Sequence, residues 1–157
     1  MNIITINKRG DKLLDIIQID EERLELNMAY QPLSGSIILV ECKGKYLFGF
    51  NKWRKQWELP GGSRNKKEKP EQCAIRELYE ETNQKIQYIK FLGLLKINKQ
   101  ATKKIAYYAL YYSYLDQLEP FKENNEMQKI LLWDMKKQIG YVDEIDKYII
   151  DYYLTHN

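Results

Sequence analysis

Apolar and polar positions alternate along this chain with two different periods, and the change of period marks out its elements. Residues 37–42 and 46–50 are short runs rich in Ile, Leu, Tyr and Phe. Lys43, Gly44 and Lys45 separate them, a three-residue glycine-containing connection that predicts a β-hairpin. Residues 70–82 then repeat apolar side chains at helical spacing, with Pro70 suited to the first helical position and Asn83 to a left-handed C-terminal cap. The middle of the chain is therefore one helix between strands. Residues 86–97 and 105–115, divided by polar positions 98–104, predict a second strand pair, and 105–112 reads as buried on both faces. Residues 130–133 predict one more short strand. From 143 to 154, Ile145, Tyr148, Ile149, Tyr152 and Tyr153 recur at i, i+3, i+4, i+7 and i+8, the stripe of a terminal amphipathic helix. The first 35 residues are less legible: 11–19 suggests a strand and 21–26 fits no single element, so they stand as an N-terminal extension of uncertain structure before a core at 36–157.

Composition narrows the class. At 157 residues the chain has the size of one compact domain, and its 44% apolar and 13% aromatic content can fill a core without metal or disulfide staples. The net charge of +3, from 25 Lys+Arg against 22 Asp+Glu, can steer an anionic ligand but falls far short of an obligate nucleic-acid binder. Cys42 and Cys73 are single and far apart, which fits a reducing cytoplasm better than a disulfide framework or a Cys-rich metal site. No run is long and apolar enough to span a membrane, and residues 1–8 lack the order of a secretory signal. His156, the single histidine, lies near the terminus and anchors no catalytic triad. The thirteen tyrosines fit sheet and core faces better than a nucleic-acid surface.

On a helical wheel, Ala74, Ile75, Leu78, Tyr79 and Thr82 fill one arc of 70–82, and Arg76, Glu77, Glu80 and Glu81 the other. The apolar arc is expected to dock. The opposite arc gathers three carboxylates at i, i+3 and i+4, where like charges cost a helix roughly 0.2–0.5 kcal/mol per pair. A solvated acidic face is the commoner meaning of such a cluster; the alternative is a cation between the acids. Magnesium suits that alternative, since it takes oxygen ligands, often one or two carboxylates together with waters and phosphate oxygens. The wider register favours it: Gly62, five residues, Glu68, seven residues, then Arg76-Glu77-Leu78-Tyr79-Glu80-Glu81, after a Trp57-Glu58-Leu59-Pro60-Gly61-Gly62 lead-in. This segment resembles the Nudix box of the MutT-like hydrolases, with the box at 62–84. Asn83 stands where the pattern has glycine and Gln84 where it has an apolar residue.

The resemblance implies an α/β/α sandwich with a mixed β-sheet, the box helix on one face and the terminal helix on the other. It also implies hydrolysis of a nucleoside diphosphate linked to another group, with Mg2+ or Mn2+ as cofactor. Gly62, through its carbonyl, and Glu77, Glu80 and Glu81 match metal-ligand positions; Glu77 or a later glutamate would activate water. Glu68 and Arg76 match the pair that stiffens the box. For a further acid outside the box, Glu126 is the candidate, with Glu123 close behind; either could instead be a solvated loop charge. Trp53, Arg54 and Trp57 are candidates for contacting the substrate. Trp57 serves equally as core, and Lys52, Arg54 and Lys55 could meet phosphates or form a solvated turn. The proline that marks many ADP-ribose-cleaving relatives is absent between Pro70 and Pro120, as is a coenzyme A motif. The implied substrate is then a nucleoside triphosphate, 8-oxo-dGTP among the candidates, cleaved to a nucleoside monophosphate and pyrophosphate. Two alternatives stand beside it. One is removal of pyrophosphate from RNA 5′ ends; the other is a module that senses nucleotides without cutting, against which the intact acids speak. The expected partner is a small nucleotide in the cytoplasm, with no membrane, and a homodimer is compatible with the sequence.

Overall fold

Strand-forming segments from both halves of the chain pair into one twisted, mixed sheet. The computed structural model describes residues 2–24 and 28–157. Among these, nine strands are present: β1 (Thr5–Ile6), β2 (Lys12–Ile17), β3 (Leu33–Cys42), β4 (Lys45–Asn51), β5 (Gln56–Glu58), β6 (Gly61–Ser63), β7 (Lys90–Lys99), β8 (Lys104–Tyr114) and β9 (Met127–Trp133). Helices α1 (Pro70–Thr82) and α2 (Glu144–His156) complete the order. The sheet runs β1-β2-β7-β8-β3-β4-β5, with β6 on β3 and β9 on β4. The β3–β8 pairing is parallel and the other ladders are antiparallel.

Alternation along the central strands supplies both cores. Leu39 of β3, Phe48 of β4 and Leu110 of β8 point to one face, where they pack with Ile145, Ile149 and Ile150 of α2. Ile38 and Val40, Leu47, and Tyr107, Ala109 and Tyr111 point to the other, against Ala74 and Leu78 of α1. This is the expected sandwich, and it explains why 105–112 is almost continuously apolar: a central strand covered by a helix on each side has no solvent face. Among the described residues, no helix is long and apolar enough to cross a membrane.

Several boundaries differ from the expectation. The β3–β4 connection has two residues, Lys43 and Gly44, both at positive φ (53° and 78°), the geometry that matches the twist of a tight hairpin. The strand expected at 86–97 begins at Lys90, because Ile86 and Ile89 pack under α1 from an irregular segment instead of joining the ladder. The first residues are an integral part of the sheet: β2 pairs along β7, and β1 extends the edge. Within 21–26, Glu21–Arg23 forms a short 3-10 turn, while positions 25 and 26 lie outside the described residues.

One irregularity matters for function. β3 and β4 pair only at Glu41–Tyr46 and Cys42–Lys45, then diverge. Beyond that point β6 occupies the edge of β3, pairing Gly61 with Ile37, while β4 turns to β5 and β9. The divergence opens a crevice beside the strand that leads into α1.

Candidate active site

The loop from β6 into α1 and the helix itself place the acidic residues at the mouth of this crevice. Pro70 opens α1, and the Gln72 side chain accepts a hydrogen bond from the Lys69 N–H at 3.0 Å. Asn83 closes it in the left-handed region (φ 64°, ψ 22°), its N–H donating to Tyr79 O. The wheel needs one correction. Ile75 and Tyr79 are exposed, and the docked residues are Cys73, Ala74, Leu78, Thr82 and, unexpectedly, Glu81, which is 3% exposed. The helix is rotated so that its acidic edge turns into the crevice, since β6 and the following loop wrap that side.

Each glutamate has a distinct setting. Glu81 reaches back to the β5–β6 junction, where its carboxylate accepts from Gly61 N–H at 3.1 Å. Burial, reinforced by the Glu126 carboxyl within hydrogen-bond reach, pushes its pKa well above the ordinary carboxylate range. Glu77 is half-buried beneath Gly62; burial raises its pKa, while Arg76 partly opposes the rise. A Cβ on Gly62 would fall 2.6–2.8 Å from the Glu77 carboxyl atoms, so a larger residue there would push that carboxyl out of its present place. The Gly62 carbonyl oxygen lies against Gly35 and the Cys73 thiol, 3.5 Å from Sγ. Glu80 is the outermost of the three. Arg76 binds Glu68 through a two-pronged contact (2.7 and 2.9 Å) and also reaches Glu77 at 2.9 Å and Glu80 at 3.0 Å. Its hydrogen bonds hold the Glu68 carboxyl down to about 2.

Glu77, Glu80, Glu81 and Glu126 border one small cavity of about 240 Å³, together with Asn124 and Asn125. Glu123 instead turns outward and pairs with Lys52 at 2.9 Å. Glu77 and Glu126 also line a larger adjoining cavity of about 450 Å³. Arg54 reaches that cavity, held by two bonds to Glu58 at 2.6 and 2.8 Å. Trp57 does not: it is 5% exposed, edge-on to Phe50, with its indole N–H on Ile139 O. Trp53 is 75% exposed, borders neither cavity, and donates to Asn125 O. Of the three aromatic and basic candidates, Arg54 alone faces the crevice.

Sequence patterning missed most of the larger cavity's wall, where Arg9, Asp11, Lys99, Tyr108, Asp143 and Asp146 all contribute. Lys99 lies over the Tyr108 ring and binds Asp11 at 3.1 Å. Burial tends to raise the Asp11 pKa, but the Gln100 N–H and Lys99 outweigh it, and the net shift is downward. Asp143 caps α2, accepting from the Ile145 and Asp146 N–H groups. Burial raises Asp143 and pushes Asp146 well above the usual range. A readable signal did exist for Asp146: it is an acid in line with Ile149 and Ile150 on the buried side of an amphipathic helix.

The donor set tests what this crevice could hold. Among the described residues, no three acidic, histidine or cysteine side chains form a ready-made metal cage. Glu81 and Glu126 nevertheless bring two carboxyls together, with Glu77 and the Gly61 N–H beside Glu81 and Arg54 close enough to feel both acids. An all-oxygen, incomplete set of this kind fits Mg2+ or Mn2+, which keep waters and phosphate oxygens among their ligands.

Comparison with known proteins agrees with this geometry. The NUDIX domain family profile matches residues 32–149. A Bacillus subtilis (strain 168) protein, YtkD, whose name carries 8-oxo-dGTP diphosphatase as a provisional assignment, is 30% identical over 103 residues, 63% of each chain. This chain thus aligns with under two thirds of that relative's length. Among solved structures, a B. subtilis pyrophosphohydrolase superposes with a TM-score of 0.73 at 17% identity, covering 99% of this chain and 94% of its own. A MutT NUDIX hydrolase from Burkholderia pseudomallei gives 0.66 at 17% identity, covering 77% and 97%. At such identity the superpositions speak to the fold alone. Because the profile runs from the start of β3 into the terminal helix and takes in every residue of the acid-lined cavity, the chain belongs to the NUDIX domain family.

Proposed function

We propose that this protein hydrolyses a nucleoside triphosphate to a nucleoside monophosphate and pyrophosphate with Mg2+ or Mn2+, and that 8-oxo-dGTP is the first substrate to try. One observation carries the reading: the acid-lined cavity shares Glu77 and Glu126 with a larger one that is lined by Arg54, Arg9 and Lys99. Phosphates bridging the two would meet carboxylates through cations on one side and guanidinium groups on the other. The relative's provisional 8-oxo-dGTP assignment supports the choice of nucleotide.

Glu77, Glu80, Glu81 and Glu126 would hold the divalent ion; the Gly62 carbonyl lies instead against Gly35 and the Cys73 thiol. When bound, such an ion screens phosphate charge from an incoming oxygen and stabilises charge on the leaving one. The chain's own groups do the rest. Glu77 and Glu126 border both cavities, so these two carboxylates are the candidates to accept the proton of an attacking water. Arg76 and Glu68 stiffen the box from behind. Arg54, fixed by Glu58, presents its remaining N–H groups to the phosphate chain. The nucleoside enters the larger cavity, whose wall includes Tyr108, Asp143 and Asp146.

The test is a kcat/KM panel with magnesium: common nucleoside triphosphates, 8-oxo-dGTP, ADP-ribose, a dinucleoside polyphosphate and 5′-triphosphorylated RNA. A nucleoside triphosphate should rank first. Glu80→Gln and Glu81→Gln should each lower kcat by about 100-fold or more with an unchanged circular dichroism spectrum. Retained activity in both variants, or a panel led by RNA or ADP-ribose, would overturn the reading.

A further inference from the structure

The two positions at which the box departs from its pattern reach the same loop. Gln84 is 1% exposed, deeply buried for an amide. Its Nε2 donates to Glu119 O at 2.8 Å and Thr82 O at 3.0 Å, and its Oε1 accepts from Glu119 N–H at 2.7 Å. Asn83, besides capping α1, donates from Nδ2 to Pro120 O at 2.8 Å. Asn124 answers from the loop: its Nδ2 donates to Glu81 O at 3.1 Å, and its Oδ1 accepts from the N–H groups of Glu126 and Met127 at 3.0 and 2.8 Å. The segment between β8 and β9 is thus laced to the end of α1 at residues 119, 120 and 124. On its other side it is tied to the turn after β4, since Lys52 N–H donates to Glu126 O at 2.9 Å. An apolar side chain at 84 would fill the volume but leave Glu119 N–H and C=O without partners, and buried amides do not go unpaired cheaply.

We propose that Gln84, with Asn83 and Asn124, is a positioning clamp: it locks the loop so that the Glu126 carboxyl is held against Glu81 across the acidic cavity. The clamp exists because Glu126 lies on a segment with no regular structure of its own. Glu81 is fixed by a helix, whereas its partner must be fixed by side-chain hydrogen bonds. The inference rests on the hydrolytic reading above and adds to it the residues that set the geometry of its out-of-box acid.

A double-mutant cycle with Gln84→Met, Glu126→Gln and the pair tests it in the full chain. Because misplacement of a reacting group is costly, Gln84→Met should lower kcat on the order of 10-fold with KM little changed. In the Glu126→Gln background the same change should alter kcat by less than about 2-fold, the non-additivity expected of residues that act as one unit. Two readouts need no turnover: the Mn2+ dissociation constant, measured by direct titration, should rise several-fold in Gln84→Met, and amide exchange should quicken at 119–127 but not in α2. Should Gln84→Met fold poorly, Asn83→Gly keeps the cap, removes the bond to Pro120, and should shift kcat and Mn2+ affinity in the same direction. Equal losses in both backgrounds, or a Gln84→Met enzyme with unaltered kcat and Mn2+ affinity, would overturn the clamp. Glu126→Gln as active as the unmodified protein would instead remove the role of Glu126, and this inference with it.

Discussion

Arg76 is the residue on which the acidic ridge depends. Its guanidinium meets Glu68 with two N–H groups and spreads the rest over Glu77, Glu80 and Ser63 O. A lysine keeps the charge but has no planar fork, so Arg76→Lys should lower stability by about 1–3 kcal/mol, read as a shift in the urea midpoint. The pH dependence follows from Glu68, whose carboxyl is held down to about 2 against an ordinary value of 4.5. A depressed carboxylate contributes its full stability above its unfolded pKa and loses it as pH falls through the folded one. The wild-type midpoint should therefore fall between pH 4.5 and 2 by more than that of Arg76→Lys, and equal acid sensitivity would refute the pairing. At this scale the sequence was informative, because box spacing identifies Glu68 and Arg76 by position. It was silent on Asp11 and Lys99, whose partnership joins segments 88 residues apart.

At the scale of elements, the end of α1 shows where periodicity succeeds and where it fails. Its limits were legible, since proline at the start and a left-handed asparagine at the end are local backbone requirements. Alanine at 83 would have to hold φ near 64° without the polar side chain that eases it, so Asn83→Ala should cost about 1–2 kcal/mol. Asn83→Gly should unfold at nearly the wild-type temperature. Comparing the two melting temperatures separates backbone strain from the lost Pro120 bond. The rotation of α1 was not legible: Ile75 and Tyr79 face solvent while Glu81 is buried, because the Gly61 N–H and the β6 wrap decide which edge of the helix turns inward. β5 and β6 were invisible for a related reason. Gln-Trp-Glu and Gly-Gly-Ser have no strand signature and become strands only through pairing with β4 and β3.

At the scale of the molecule, the first residues form part of the wall of the larger cavity. Asn7 is buried, organises the turn before β2 through Arg9 and Asp11 N–H groups, and donates to Asp143 Oδ2 at 3.1 Å across 136 residues of sequence. From Asp143 a buried chain runs through Gln56 and Glu58 to Arg54, linking the cap of α2 with the cationic side of the crevice. Asn7→Ala should lower stability by about 1–3 kcal/mol, since it leaves Asp143 short of a donor. It should also raise KM for the preferred nucleotide more than it lowers kcat, because Asn7 borders the larger cavity and not the acidic one. A lower melting temperature with an unaltered KM would show that Asn7 supports the fold without shaping the cavity.

The two helices and the longer core strands, the limits of α1 and the identity of the acidic ridge were written in the chain itself, because each depends on spacing within a few turns of backbone. The sheet's divergence at β3 and β4, the inward turn of Glu81, the role of the first eleven residues and the partners of Gln84 came only with the folded molecule. Those features are made by contacts between segments distant in sequence, and burial of a polar group is favourable only when a donor or acceptor from elsewhere arrives to meet it.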